Sequence, residues 1–198
     1  TVIPIIALLI QVYFFQGPLL WPAVALTVIF IFIFLQAQND TRDYLTGLLN
    51  RQQIDDIIHV RIRDFQKRGV FSLIILDMDE FKFINDTYGH NQGDEALIQL
   101  SSVLSSSVKS SDKVARFGGD EFLILLDTGD PVEVEKIIER IQKKIDLVND
   151  KDDKLYNIAF SAGFAVYCPS KYSDFISLFN DVDQKMYDVK KRKKKDPI

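Results

Sequence analysis

One cysteine, Cys168, is all that 198 residues contain. An intrachain disulfide framework is therefore excluded, and a reducing compartment suits the chain. The first 39 residues hold no Asp, Glu, Lys or Arg, and the first formal charge is Asp40. No basic stretch opens that segment and no small-residue cleavage site closes it, which argues against a secretory leader. It also lacks a polar face at any helical period, which argues against a buried soluble hairpin. No internal repeat appears. A positive excess is missing too: the net charge of −4 argues against a general nucleic-acid binder, and no nucleic-acid partner is expected.

What the uncharged segment does contain is hydrocarbon. "LLWPAVALTVIFIFIFL", 19 to 35, is 17 apolar or weakly polar residues, at the short end of the roughly 20 that a bilayer-crossing helix needs. Gln36 to Gln38 extend it at an interface. "VIPIIALLIQVYFF", 2 to 15, reads as a second span joined through "QGP". The chain starts with Thr, so this span is expected to be cut short at the fragment boundary. A membrane hairpin over 1–38 is the expectation. Arg42 and Arg51 follow it closely while the "QGP" loop is uncharged, which places the rest on the cytoplasmic side of a cell membrane, in a multi-pass protein.

Composition is 47% hydrophobic and 26% charged, enough for a folded core beyond the hairpin. "KKRKKK", 190 to 195, holds six of the 24 basic residues, leaving 18 against 28 acidic, or −10, elsewhere. Such a run is either a solvated helix end or a surface for anionic lipid or phosphate. Ile54, Ile57, Ile58, Ile62 and Phe65 fall at helical spacing, with Asn50 as N-cap and Gly69 as stop. "VFSLIIL", 70 to 76, has the length of a buried strand and runs into Asp77. A helix is expected over 93–108. "DKVARF" and "EFLILL" read as a hairpin about Gly118-Gly119, with glycine supplying positive φ. Pro131 opens a helix over 131–148, a strand follows over 156–167 with Gly163 inside it, and an amphipathic helix over 173–191 comes last. This order argues for helices packed on a mixed sheet.

Asp77 ends a strand; Asp120 and Glu121 sit at the hairpin. If the strands pair, three carboxylates converge and raise one another's pKa. A divalent cation relieves that, and Mg²⁺ suits one or two carboxylates with waters and phosphates. Taken alone, Asp120 and Glu121 also fit a solvated turn, and Asp77 and Asp79 fit ordinary loop acids.

"DYLTGLLNR" (43–51), "LDMDEFKFINDTYGHNQGDEAL" (76–97), "ARFGGDEF" (115–122) and "DQKMYDVK" (183–190), in this order and spacing, resemble the successive blocks of the GGDEF family of diguanylate cyclases. The resemblance covers roughly 40–195. It implies an α/β (α+β) nucleotide-cyclase-like palm domain over 39–195, a central mixed sheet flanked by helices, preceded by the transmembrane hairpin of a truncated sensory region. The family condenses two GTP into cyclic di-GMP and pyrophosphate as a homodimer, each domain holding one GTP. By resemblance, Asp77 and Asp120, with the main-chain carbonyl of Met78, hold Mg²⁺, with Mn²⁺ as the alternative ion. Asn85 and Asp94 read guanine, and His90 is a substrate contact. The backbone N–H groups of Glu80 and Phe81 cradle phosphate. Lys82 stabilises the transition state, and Lys190 and Lys194 lie near the phosphates. Asp120 or Glu121 is the base, and Arg116 braces the loop.

Two departures stand out. "KSSD", Lys109 to Asp112, replaces the Arg-x-x-Asp of an inhibitory product site, and lysine lacks the guanidinium fork, so weak product inhibition is expected. Lys193, Lys194 and Lys195 stand where relatives carry Gly-Arg-Asn. No phosphodiesterase domain is visible within these 198 residues. Two other readings remain open: an idle GGDEF module that binds GTP or a partner as a sensor, and a membrane adaptor whose basic tail binds lipid.

Overall fold

The chain divides into two units, Thr1–Asp40 and Thr41–Ile198. A computed structural model describes residues 2, 5, 6, 9, 10, 13, 20–38, 41–150 and 155–195. In the first unit, α1 (Leu20–Gln38) carries no charge. Val28, Ile29, Phe30, Ile31, Phe32 and Ile33 are all exposed. Consecutive helical residues are about 100° apart, so these six leave no polar side. The apolar part ends at Leu35 and is about 24 Å long, against a hydrocarbon core about 30 Å thick. Among the described residues, no helix is long and apolar enough to cross a membrane.

In the second unit, α2 (Arg51–Arg63) begins at Asn50, whose side chain accepts a hydrogen bond from the Gln53 N–H. The single expected helix is broken at Asp64, and its last turn, α3 (Phe65–Arg68), stops at Gly69 with φ 77°. Then come β1 (Ser72–Met78), α4 (Phe81–Tyr88), α5 (His90–Ser106), β2 (Lys113–Gly118), β3 (Glu121–Leu126), α6 (Pro131–Asn149), β4 (Phe160–Val166) and α7 (Phe175–Lys195). The sequence reading missed α4, because 81–88 lies inside a block dominated by polar motif residues.

The strands lie in the order β2-β3-β1-β4. All three pairings are antiparallel, so the expected mixed sheet is corrected to an antiparallel one. Helical crossovers do join strands of like direction, β1 to β2 and β3 to β4. Each crossover passes over one intervening antiparallel strand, so the like-directed strands never touch. A lone parallel bridge, Leu49 to Ala115, adds the 41–50 segment beside β2.

Alternation sorts the sheet into two buried faces. Ile74, Leu76, Phe122 and Ile124 pack under α4, α5 and α6. Leu73, Ile75, Leu123 and Leu125 pack under α2 and α7. Every residue of β1 is buried, as befits a strand covered on both sides. Gly163 is explained by α7: a Cβ there would lie 2.4 Å from both the Met186 nitrogen and the Val182 carbonyl oxygen. These are backbone atoms that cannot step aside.

Gly163→Ala is therefore expected to lower the unfolding free energy by about 3 kcal/mol. Denaturant titration of the purified chain, followed by circular dichroism, checks this; an unchanged midpoint would refute the close approach.

Candidate active site

Asp77 is the penultimate residue of β1 and Glu121 the first of β3, and the two stand directly opposite each other. The Met78 N–H donates to the Asp120 carbonyl at 3.1 Å. The neighbouring Asp77–Glu121 pair is therefore a non-hydrogen-bonded one, in which facing side chains come closest. Both point to the α2/α7 face. Gly118 pairs with Glu121, so the turn is Gly119-Asp120 rather than Gly118-Gly119.

Neither glycine has positive φ, contrary to expectation; among the glycines that role falls to Gly47, Gly69 and Gly89. A register shift between Arg116 and Gly118 makes the bend instead. What these glycines provide is room. A Cβ at Gly119 would meet nothing within 4 Å, and one at Gly118 would come within 3.3 Å of the Glu121 carboxylate.

Arg116 braces the turn as expected. Its Nε and Nη2 donate to the Gly119 carbonyl at 3.0 and 2.8 Å. Its Nη1 donates to both Asp43 oxygens at 3.2 and 3.3 Å. Burial pushes Asp43 up, but bonds from the Thr46 hydroxyl and N–H, and from Arg116, outweigh it and hold the carboxyl below its ordinary range. Sequence reasoning missed Asp43 as the anchor. Its signal was there in "DYLTG", an aspartate three residues before a turn threonine.

Burial, followed by the charges of Asp120 and Asp79, raises the Asp77 carboxyl despite a short hydrogen bond from Lys190. Burial would lower Lys190, yet its bond to Asp77 and the charges of Asp77, Asp120 and Asp79 hold it above the ordinary lysine value. The two partners shift in the same direction because burial, joined by the charges of Asp120 and Asp79, outweighs Lys190 at Asp77, whereas at Lys190 the surrounding acids outweigh burial. Glu121 is raised by burial and then by Asp77, Asp120 and Asp183; Arg51 partly offsets this.

Among the described residues, no group of three or more His, Cys, Asp or Glu is assembled to hold a metal ion. The expected three-acid convergence is thus two facing acids with a third at the turn. The donor set still fits a hard divalent cation. Mg²⁺ ordinarily takes one or two carboxylates and completes its shell with water and phosphate, and Asp77 already draws a cation, the Lys190 ammonium.

On the other side of the β1 end, Glu80 precedes α4 with φ 57°, the one positive φ of a non-glycine among the described residues. It gives the helix no side-chain cap, so the first N–H groups of α4 lack intrahelical partners. Phe81 opens α4, half-buried, and Lys82 is exposed in its first turn. Asn85 lies one turn on. Its carboxamide presses on Gly93, where a Cβ would sit 2.0 Å from Oδ1. That contact packs Asn85 against α5 one residue before Asp94, which is exposed, as is His90 at the start of α5. The sequence reading missed Gly93 as the packing partner of Asn85; a glycine inside a helix directly before a polar motif residue was its signal. Lys194 lies in the last turn of α7, and its side chain is outside those described. A cavity of about 490 Å³ along β4 and α7 is lined by Lys171, Lys185 and Arg192 and by none of these acids.

The family described as diguanylate cyclase, GGDEF domain, matches residues 40–196. Diguanylate cyclase DosC of Escherichia coli K12 is 36% identical over 151 residues, 76% of this chain and 33% of that protein. The bifunctional diguanylate cyclase/cyclic di-GMP phosphodiesterase MucR of Pseudomonas aeruginosa is 34% identical over 152 residues, 75% of this chain and 22% of that protein. The chain thus spans a third or less of these curated relatives. The GGDEF domain of DgcB from Caulobacter crescentus, solved with c-di-GMP, superposes with a TM-score of 0.70 at 28% identity, covering 77% of this chain and 91% of that one.

Asp77 and Glu121 both titrate above the ordinary carboxylate range in the folded chain. The stability each contributes is complete below the unfolded pKa and is lost as pH rises through the raised folded value. Glu121→Gln removes one such group. Without divalent ions it is expected to raise the melting temperature by roughly 2–4 °C near neutrality and hardly at all below pH ~4. Melting curves at the two pH values check this, and equal shifts at both would point to packing instead.

Proposed function

The chain belongs to the diguanylate cyclase GGDEF-domain family, and we propose that it condenses two GTP into cyclic di-GMP with release of two pyrophosphates, one GTP held by each of two copies. The observation that carries this reading is the meeting, at one end of the sheet, of facing acids from β1 and the β2–β3 hairpin with the uncapped start of α4. Mg²⁺, or Mn²⁺ in its place, held by Asp77, Asp120 and the Met78 carbonyl, supplies charge neutralisation on the triphosphate.

Asn85 and Asp94 bind guanine: the carboxylate accepts from the ring N–H and the exocyclic amine, which adenine cannot offer. His90, at the start of the same helix, is a further contact. The N–H groups at Glu80 and Phe81 hold phosphate oxygens. Lys82, Lys190 and Lys194 bring positive charge to the phosphoryl oxygens, where charge grows during transfer.

The proton of the 3′-hydroxyl goes to a carboxylate of the hairpin. Burial and neighbouring acids raise Glu121 toward neutrality, which suits a proton acceptor, while Asp120 serves chiefly as a ligand. The 3′-oxygen then attacks the α-phosphorus of the partner's GTP, and pyrophosphate leaves. The product is two-fold symmetric, so two loaded domains must face each other.

The uncharged first 39 residues and the exposed apolar run Val28–Ile33 of α1 support a membrane anchor with the catalytic domain on the cytoplasmic side. At the product-site position, the Lys109 ammonium is held by Glu133 at 2.7 Å. Asp112 is taken up by the N–H groups of Lys109 and Asp127. Both side chains already have protein partners, which supports weak product inhibition.

Chromatography of GTP incubated with the chain and magnesium is expected to show cyclic di-GMP, falling roughly 100-fold or more in Asp120→Ala, with progress curves that stay straight as product accumulates. Binding of GTP without product would instead favour the idle sensor, and curvature relieved by Asp112→Ala would contradict the product-site reading. Activity per chain should climb with concentration for residues 39–198 alone and depend less on it for the whole chain in lipid vesicles. Identical dependence would remove the anchor's role in pairing the domains.

A further inference from the structure

Asp77 near the end of β1 and Asp79 in the turn that follows it both face α7. Lys190 and Lys193 are three apart on α7 and share a face. The two sets meet in register. Lys190 takes Asp77, and Lys193 pairs with Asp79 at 3.2 Å. The first pair belongs to the proposed metal and phosphate site; the second does not.

The bonds of Asp79 run to α7 and to β4, at the residues that stand opposite Asp77 and Met78. Its Oδ1 accepts from the Ser161 hydroxyl at 2.7 Å. Its N–H donates to the Ala159 carbonyl at 2.9 Å. The Lys193 ammonium that holds Oδ2 also donates to the Phe160 carbonyl. The exit of β1, the entry of β4 and the end of α7 are thereby tied at one carboxylate. The next residue is Glu80, held left-handed, a conformation that a non-glycine residue keeps only where its surroundings impose it. Immediately after it come Phe81 and Lys82.

We propose that Lys193 is a positioning residue: by clamping Asp79 and the Phe160 carbonyl it fixes the Glu80 turn, and through that turn the N–H groups and the Lys82 ammonium at the start of α4. This rests on the proposed GTP reading for its consequence, though not for its geometry. The rival reading makes Lys193 a direct phosphate ligand that Asp79 merely stores. The two differ in sign. If Lys193 is a clamp, Asp79→Asn loosens the turn and weakens nucleotide binding. If it is a stored ligand, Asp79→Asn frees the ammonium and tightens binding.

The test uses the full chain in two measurements. In the nucleotide-free protein, Lys193→Met is expected to speed backbone amide exchange at residues 80–82 roughly 10-fold while leaving β2 unchanged. With magnesium and a non-hydrolysable GTP analogue, Lys193→Met and Asp79→Asn should each weaken binding roughly 10-fold, the double variant no more than either, and Lys193→Arg should restore most of it. Ser161→Ala, which removes the hydroxyl on the other carboxylate oxygen, should give the same localised exchange if Lys193→Met does not fold. Tighter binding in Asp79→Asn, or unchanged exchange at 80–82, overturns the proposal. If the wild-type chain binds no analogue, the exchange data alone decide the clamp, and it is the GTP reading that fails.

Discussion

Two carboxylates standing opposite each other at the end of a buried sheet set the terms for the rest of this domain. Asp77 and Glu121 are cross-strand neighbours, and Asp120 adds a third negative charge at the turn between β2 and β3. Like charges directly opposite are destabilising in any antiparallel pair, and burial makes them worse. The fold tolerates them because cations are delivered from elsewhere: Lys190 from α7 onto Asp77, and Arg51 near Glu121. Nothing in β1 or β3 themselves relieves the repulsion. That need for outside positive charge is the physical basis of the proposed divalent-ion site.

The antiparallel sheet makes this arrangement geometrically cheap. Because β3 lies between β1 and β2, the hairpin turn comes back to the exit of β1, and the Met78–Asp120 backbone bond fixes how close the acids stand. The same β1 exit leads through Glu80 into α4, so the acids and the uncapped amides at the start of α4 are separated by only a few residues of chain. The residues proposed to read guanine then follow on α4 and α5, where the lack of a Cβ at Gly93 lets Asn85 pack against α5.

Much of this was legible beforehand, for local reasons. Asn50 capping α2, Pro131 opening α6 and the hairpin all announce themselves through residues whose roles depend on near neighbours. The acids at the strand ends were legible because an apolar run that stops at a carboxylate is unusual. What escaped depended on distant partners. Gly163 is conspicuous in its strand, but its reason is the backbone of α7, some twenty residues on. The left-handed Glu80 has no sequence signature, since glutamate is not a residue that favours that conformation. The mixed sheet was expected because helical crossovers join like-directed strands, and sequence order does not say that another strand will sit between them. Lys193 read as one more cation in a basic run until Asp79 was found facing it.

That basic run has a temporal side. Lys190 and Lys193 are separated from their acids by 113 and 114 positions. During synthesis on a ribosome, therefore, β1 and the hairpin are complete long before either lysine exists. A nascent domain carries Asp77 and Asp79 without their lysines until α7, last of the described elements, packs across the sheet over Gly163. Pairing of these acids and closure of the fold are then a single late event, and a chain truncated ahead of α7 has neither.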